Sequence, residues 1–136
     1  MTQYSTVMMD PPWLERGGGE SKRGADRHYP LLPTKQMPAV IYGSGVFNPT
    51  EHAHLYMWST VNFLPDALWL MEALNFRYVT QCVWVKDKVG LGQYFRMQHE
   101  LLLLGVRGRG TQVRTSARSI PSVISAPRTR HSKKPQ

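Results

Sequence analysis

Apolar positions along the chain fall into short runs separated by glycine, proline and charged stretches, with one longer stripe at helical spacing. Residues 4–9 have the length and character of a buried strand. It must end at Asp10, because Pro11 and Pro12 lack the backbone N–H that further pairing needs. Residues 14–29 turn to Gly, Arg, Lys and Ser, including Gly17-Gly18-Gly19, which predicts a mobile, positively charged loop. Thr34 is placed to cap a short helix reaching about Tyr42, with Gly43 and Gly45 ending it. Residues 53–58 read as a second strand, followed by Ser59 and Thr60 as break or cap residues. Pro65 suits the first turn of a helix in which Phe63, Leu64, Ala67, Leu68, Met71 and Leu74 recur at helical spacing through Asn75. Residues 76–85, rich in Tyr, Val, Thr and Trp, predict a strand, 86–93 a glycine-containing loop, and 101–106 a further strand.

The strand at 53–58, the helix at 63–75 and the strand at 76–85 predict a crossover unit of an α/β fold with a mainly parallel sheet. Ligands in such sheets bind beyond the carboxyl ends of the strands. That rule puts Asp10 with its prolines, Ser59 and Thr60, and Lys86 with its loop on one rim.

Composition narrows the classes of function. At 41% hydrophobic, the 136 residues can form a core, which excludes a wholly disordered chain, and their number suits one domain over 1–136. Lys and Arg number 17 against 9 Asp and Glu, a net charge of +8, which points to a polyanionic partner. No acidic residue follows Glu100, whereas Arg107, Arg109, Arg114, Arg118, Arg128, Arg130, Lys133 and Lys134 do. Residues 107–136 therefore read either as a solvated basic tail or as a phosphate-contacting surface. The single Cys82 has no disulfide partner and lies in an apolar run, which suits a small buried hydrophobe in a reducing, cytoplasmic compartment. The first nine residues lack the charged start and apolar stretch of a signal peptide, and the run at 101–104 is far short of a membrane span.

The most specific feature is Asp10-Pro11-Pro12-Trp13, a turn with an acid and an aromatic directly after a hydrophobic strand. An aromatic amine is a poor nucleophile because its lone pair is delocalised into the ring. The Asp10 carboxylate and the Pro11 carbonyl can both accept hydrogen bonds from such an amine, localising the lone pair toward a methyl donor. Proline fixes the direction of that carbonyl, and Trp13 offers a flat surface on which a base would stack.

The chain resembles the N6-adenine methyltransferase family that includes the catalytic subunit of the eukaryotic messenger-RNA adenosine methyltransferase, most closely its short phage and bacterial members. Besides Asp10-Pro11-Pro12-Trp13, the resemblance rests on Arg27-His28-Tyr29-Pro30, His54-Leu55-Tyr56-Met57-Trp58-Ser59-Thr60 and Phe63-Leu64-Pro65-Asp66-Ala67-Leu68. It continues through Phe76-Arg77-Tyr78, Trp84-Val85-Lys86, Gly90-Leu91-Gly92-Gln93-Tyr94-Phe95-Arg96, His99-Glu100, Leu103 to Gly108, and Ala126-Pro127-Arg128 to His131-Ser132-Lys133-Lys134-Pro135. Nearly the whole chain is covered.

The resemblance implies a Rossmann-like methyltransferase fold in permuted order, with S-adenosylmethionine as methyl donor and the adenine amine of nucleic acid as acceptor, DNA favoured over RNA. It assigns catalysis to Asp10, Pro11, Pro12 and Trp13. Substrate contact falls to Arg27, His28, Tyr29, Gly92, Tyr94 and Arg96, and donor contact to Asp10, Lys86 and His99. Partners it allows are nucleic acid and a second subunit, as a homo- or heterodimer. In this family a further helix and strand follow the His-Ser-x-Lys-Pro motif and hold the donor. The sequence ends at Gln136, so a C-terminally short member is expected, and the alternative reading is a catalytically silent, nucleic-acid-binding subunit.

Smaller signals carry less. Gly43-Ser44-Gly45 lacks a preceding strand and full glycine spacing, so it reads as a turn. His52 and His54 have no second ligand pair, so no metal site is expected. Trp58 and Trp84 read as packing residues, and Lys86 as a solvated terminus or a rim cation.

Overall fold

The computed structural model describes residues 2–14, 31–112, 119–130 and 133–136. Its organising element is the strand richest in leucine. Leu101 to Leu104 are apolar at consecutive positions, so both faces of their strand must be covered, and this suits the middle of a sheet. The strand, β4 (His99–Arg107), is central in a five-stranded sheet of order β1-β2-β4-β3-β5. Its neighbours are β2 (Pro49–Ser59) and β3 (Arg77–Val85), both antiparallel to it. β1 (Tyr4–Met9) adds parallel to β2, and β5 (Val123–Ser125) adds parallel to β3.

Alternation along the strands separates two apolar clusters. One face carries Leu55, Met57, Leu101 and Leu103, with Val7 and Met9 beside them. Helices α1 (Met37–Gly43) and α2 (Leu64–Ala73) both pack into this cluster, through Met37 and Ile41 and through Ala67, Leu70 and Met71. Gly105 is what lets α2 come close, since a Cβ there would stand 2.6 Å from Met71 Sδ. The other face holds Trp58, Trp84 and Leu102, with Tyr56, Cys82, Ile124 and Ala126 against them.

The element expectations hold in outline, and four need correction. The sheet is mixed and not mainly parallel: two of its pairings are parallel and two antiparallel. β2 and β3, joined through α2, point the same way but are not neighbours, because β4 lies between them. Periodicity reports which residues are covered, not which strand lies alongside. Thr34 does not cap α1; its hydroxyl donates instead to Asp66 Oδ2 at 2.6 Å, and a 3₁₀ turn over Thr34–Gln36 precedes the helix. In α2 the core stripe is Ala67, Leu70, Met71 and Leu74, an i, i+3, i+4, i+7 set, and Leu68 stands exposed. Finally, residues 107–136 are not wholly a solvated tail, since β5 joins the sheet and Ala126 accepts a bond from Trp84 Nε1 at 2.8 Å. No helix among the described residues is long and apolar enough to cross a membrane.

Candidate functional site

Strands β1, β2, β3 and β5 run one way and β4 the other. Four carboxyl ends and the amino end of β4 therefore share one rim. Asp10 follows β1, Ser59 ends β2, Lys86 follows β3, Glu100 opens β4 and Ala126 follows β5. The sequence expected Asp10, Ser59, Thr60 and Lys86 on a common rim, and the topology puts them there.

What joins the rim is charge. Glu100 lies between two ammonium groups, with Lys134 Nζ at 2.9 Å from Oε2 and Lys86 Nζ at 3.4 Å from Oε1. Lys134 Nζ also lies 3.7 Å from Asp10 Oδ2. Lys86, Glu100 and Lys134 keep under a fifth of their side-chain surface, whereas Asp10 keeps 47%. Two indoles form the floor, Trp58 and Trp84 meeting edge to face at 6.0 Å. Lys86 sits over the Trp84 ring at 4.9 Å and Lys134 over Trp58 at 5.7 Å, so each ammonium is held by a carboxylate and an aromatic face. Burial pushes the Asp10 carboxyl above its ordinary value of 3.8; Lys134 pulls it back and the Glu100 charge adds to the rise.

Trp13 differs from expectation. It is 6% exposed, its ring is stacked on Phe63 at 5.9 Å with 12° between planes, and its Nε1 donates to the Trp58 carbonyl at 3.3 Å. It is a core residue that fastens the turn to β2, not a free platform for a base. The Pro11 carbonyl accepts the Trp13 backbone N–H at 2.9 Å, and the Pro12 carbonyl accepts that of Leu32 at 3.1 Å. A carbonyl oxygen has two lone pairs, so Pro11 retains one acceptor site.

The remaining expected residues are not drawn into this cluster. Arg27, His28 and Tyr29 lie outside the described residues. Gly92 sits in the β3–β4 loop, closed by Gly90 N–H to the Met97 carbonyl at 2.7 Å and by Lys86 N–H to that of Gln98 at 2.9 Å. A Cβ on Gly92 would run into the Phe95 carbonyl, so that turn admits only glycine as it stands. Tyr94, with φ of 61°, and Arg96 are exposed, and neither hydrogen-bonds nor ion-pairs with Asp10. His99 opens β4 opposite Val85 and, by alternation, faces away from Glu100 and the lysines. His52 and His54 each meet backbone: His52 Nδ1 accepts the Arg109 N–H at 2.9 Å, and His54 Nε2 lies 2.9 Å from the Gly110 carbonyl.

Glu100 and Lys134 are the site residues that local reading missed. Both lie within segments carrying the family resemblance, yet an ion pair spanning 34 positions leaves no local pattern. The one available signal was that Glu100 is the last acid before a wholly cationic stretch.

For a bound donor the rim offers one orphan: the Thr60 hydroxyl oxygen is buried without a hydrogen-bond partner among the described residues. A buried hydroxyl of that kind calls for a polar group beside it, so the residues present fit a polar ligand. A cavity of about 630 Å³ opens elsewhere, at the amino end of β3 and the carboxyl end of β4. Comparison with protein-family profiles and with curated proteins finds no match to this chain.

Proposed function

We propose that the chain is a methyltransferase of Rossmann-like descent acting on the N6 amine of adenine in nucleic acid, DNA in preference to RNA, with S-adenosylmethionine as donor. The observation that carries the reading is the position of Asp10: a partly solvated carboxylate just past β1, tethered by Lys134 and followed by a carbonyl fixed between two prolines. S-adenosylmethionine, when bound, supplies a methyl group on a cationic sulfur that leaves as a neutral thioether. The chain's own part is to orient the amine. Asp10 accepts one N–H and the free lone pair of the Pro11 carbonyl accepts the other, which turns the nitrogen lone pair out of the ring plane. The proton lost on alkylation departs along the Asp10 hydrogen bond. Lys134 holds the carboxylate in place, and the Thr60 hydroxyl is the polar group left for the donor. In a duplex, the target base must leave the stack to reach such a rim.

Asp10→Ala is expected to abolish transfer of label from methyl-labelled S-adenosylmethionine to an adenine-containing oligonucleotide, while the melting transition is retained. Undiminished product from that variant rejects the assignment. The saturation of Lys134 by Glu100 and Asp10 favours a second reading, a catalytically silent nucleic-acid-binding subunit of a homo- or heterodimer. Calorimetric titration separates the two, because the silent subunit gives no heat with S-adenosylmethionine and the enzyme gives saturable binding.

A further inference from the structure

We infer that the cavity at the amino end of β3 is a second nucleic-acid contact, which seats one nucleotide of a single strand away from the Asp10 rim. Its lining includes Glu72, Phe76, Arg77, Tyr78, Arg107 and Gly108. Along β4, Glu100 and Arg107 are seven positions apart, about 24 Å at a rise of ~3.4 Å per residue.

Its chemistry divides into three parts. Arg77 and Arg107 form the cationic part. Arg77 Nη2 donates to the Gly108 carbonyl at 2.7 Å, which fixes the guanidinium, and among the described residues its other N–H groups have no side-chain hydrogen-bond partner. Arg107 lies over the Phe76 ring at 5.4 Å. Neither arginine forms a salt bridge with any described residue. Arginines oriented by a carbonyl and a ring, with their forks unspent, match the geometry of a phosphate.

The second part is Tyr78, 45% exposed on the wall of the cavity, a surface on which a base can stack. The third is Glu72, on the outer face of α2, whose carboxylate is suited to accept from an exocyclic amine. A free phosphate would use only the arginines and would be repelled by Glu72. A nucleotide uses all three, with its phosphate on the arginines and its base between Tyr78 and Glu72. The net charge of +8 supplies the long-range attraction that brings a polyanion to this surface.

The inference does not depend on methyl transfer. The experiment is fluorescence anisotropy of a 5′-labelled 12-nucleotide single-stranded DNA, titrated with the full chain over a salt series. Tyr78→Ala is expected to weaken binding roughly tenfold. Arg107→Ala is expected to lower the slope of log K against log salt by about 0.7, the value for one phosphate on a single strand, and Arg107→Lys to restore the slope. The titration contains no S-adenosylmethionine and reads no methyl transfer, so failure of the methyltransferase reading and failure of this one are distinguishable. Ultraviolet cross-linking followed by peptide mass spectrometry is expected to mark Tyr78. Variants that melt normally and bind with unaltered affinity and slope, or cross-links confined to other segments, overturn the proposal.

Discussion

The two ends of the sheet treat positive charge in opposite ways. At the carboxyl rim, Lys86 and Lys134 are matched by Glu100 and Asp10 within 4 Å and seated over indole rings. At the other end, Arg77 and Arg107 are held by a carbonyl and a phenyl ring, with no described carboxylate in salt-bridge reach. A cation balanced by fixed acids orients those acids and has little left for an incoming anion. One positioned by neutral groups keeps its charge for a ligand. The rim is therefore built for placing atoms and the far end for holding a polyanion.

The largest effect is expected where the rim is anchored to the core. Trp13→Ala should cost about 3–5 kcal/mol, as for other buried tryptophans. Trp13→Phe should keep the stack on Phe63 and lose about 1 kcal/mol with the bond to the Trp58 carbonyl. Denaturant melts measure both, and a Trp13→Ala variant of wild-type stability would mean that the indole lies free.

Next comes Glu100→Gln, which leaves two lysines facing each other without their common acid. A loss of about 1.5–3 kcal/mol is expected, the range for hydrogen bonds to charged groups. Arg77→Ala at the opposite end should cost less than about 1 kcal/mol, because an exposed arginine gives up a single carbonyl contact. Equal melting shifts for the two would erase the contrast between the ends.

Gly92→Ala affects the loop and not the core. Its new methyl meets the Phe95 carbonyl, so the loop must re-form. Limited proteolysis within the loop should speed up about tenfold, equivalent to about 1.4 kcal/mol in its opening equilibrium, with the melting temperature unchanged.

The smallest effect concerns pH. Asp10 must be ionised to accept from an amine, and its folded pKa lies above 3.8. Activity should therefore fall as pH is lowered, through a midpoint above that value, and a rate–pH profile locates it. For stability the sign is opposite. A carboxyl raised on folding favours the folded state in acid, and that contribution is lost as pH rises through the folded value. The advantage of wild type over Asp10→Asn in melts should accordingly be greatest in acid.

Much of this architecture is legible along the chain because its causes are local. Pro11 and Pro12 stop β1, Pro65 opens α2, and Leu101 to Leu104 announce a strand covered on both faces. Pairing is not local. That β4 inserts between β2 and β3 follows from the route of the Gly90–Met97 turn back along β3, and no periodicity encodes it. β5 was missed because three residues between Pro121 and Pro127 make too short a run to register. For the site, Asp10 and Lys86 were readable as residues that follow strands. Glu100 and Lys134 were not, because their roles arise from a pairing over a long sequence separation. Trp13 was misread because an aromatic next to a reactive-looking acid suggests stacking, while the core behind it took the ring.

If Asp10 and the Pro11 carbonyl orient an exocyclic amine, the atom that receives the methyl group is fixed. After incubation of the chain with S-adenosylmethionine and an adenine-containing DNA strand, nucleoside mass spectrometry should find methyl on the exocyclic nitrogen of adenine with wild type and none with Asp10→Asn. Methyl on a ring nitrogen or on cytosine, or equal N6-methyladenine from both proteins, would contradict the account.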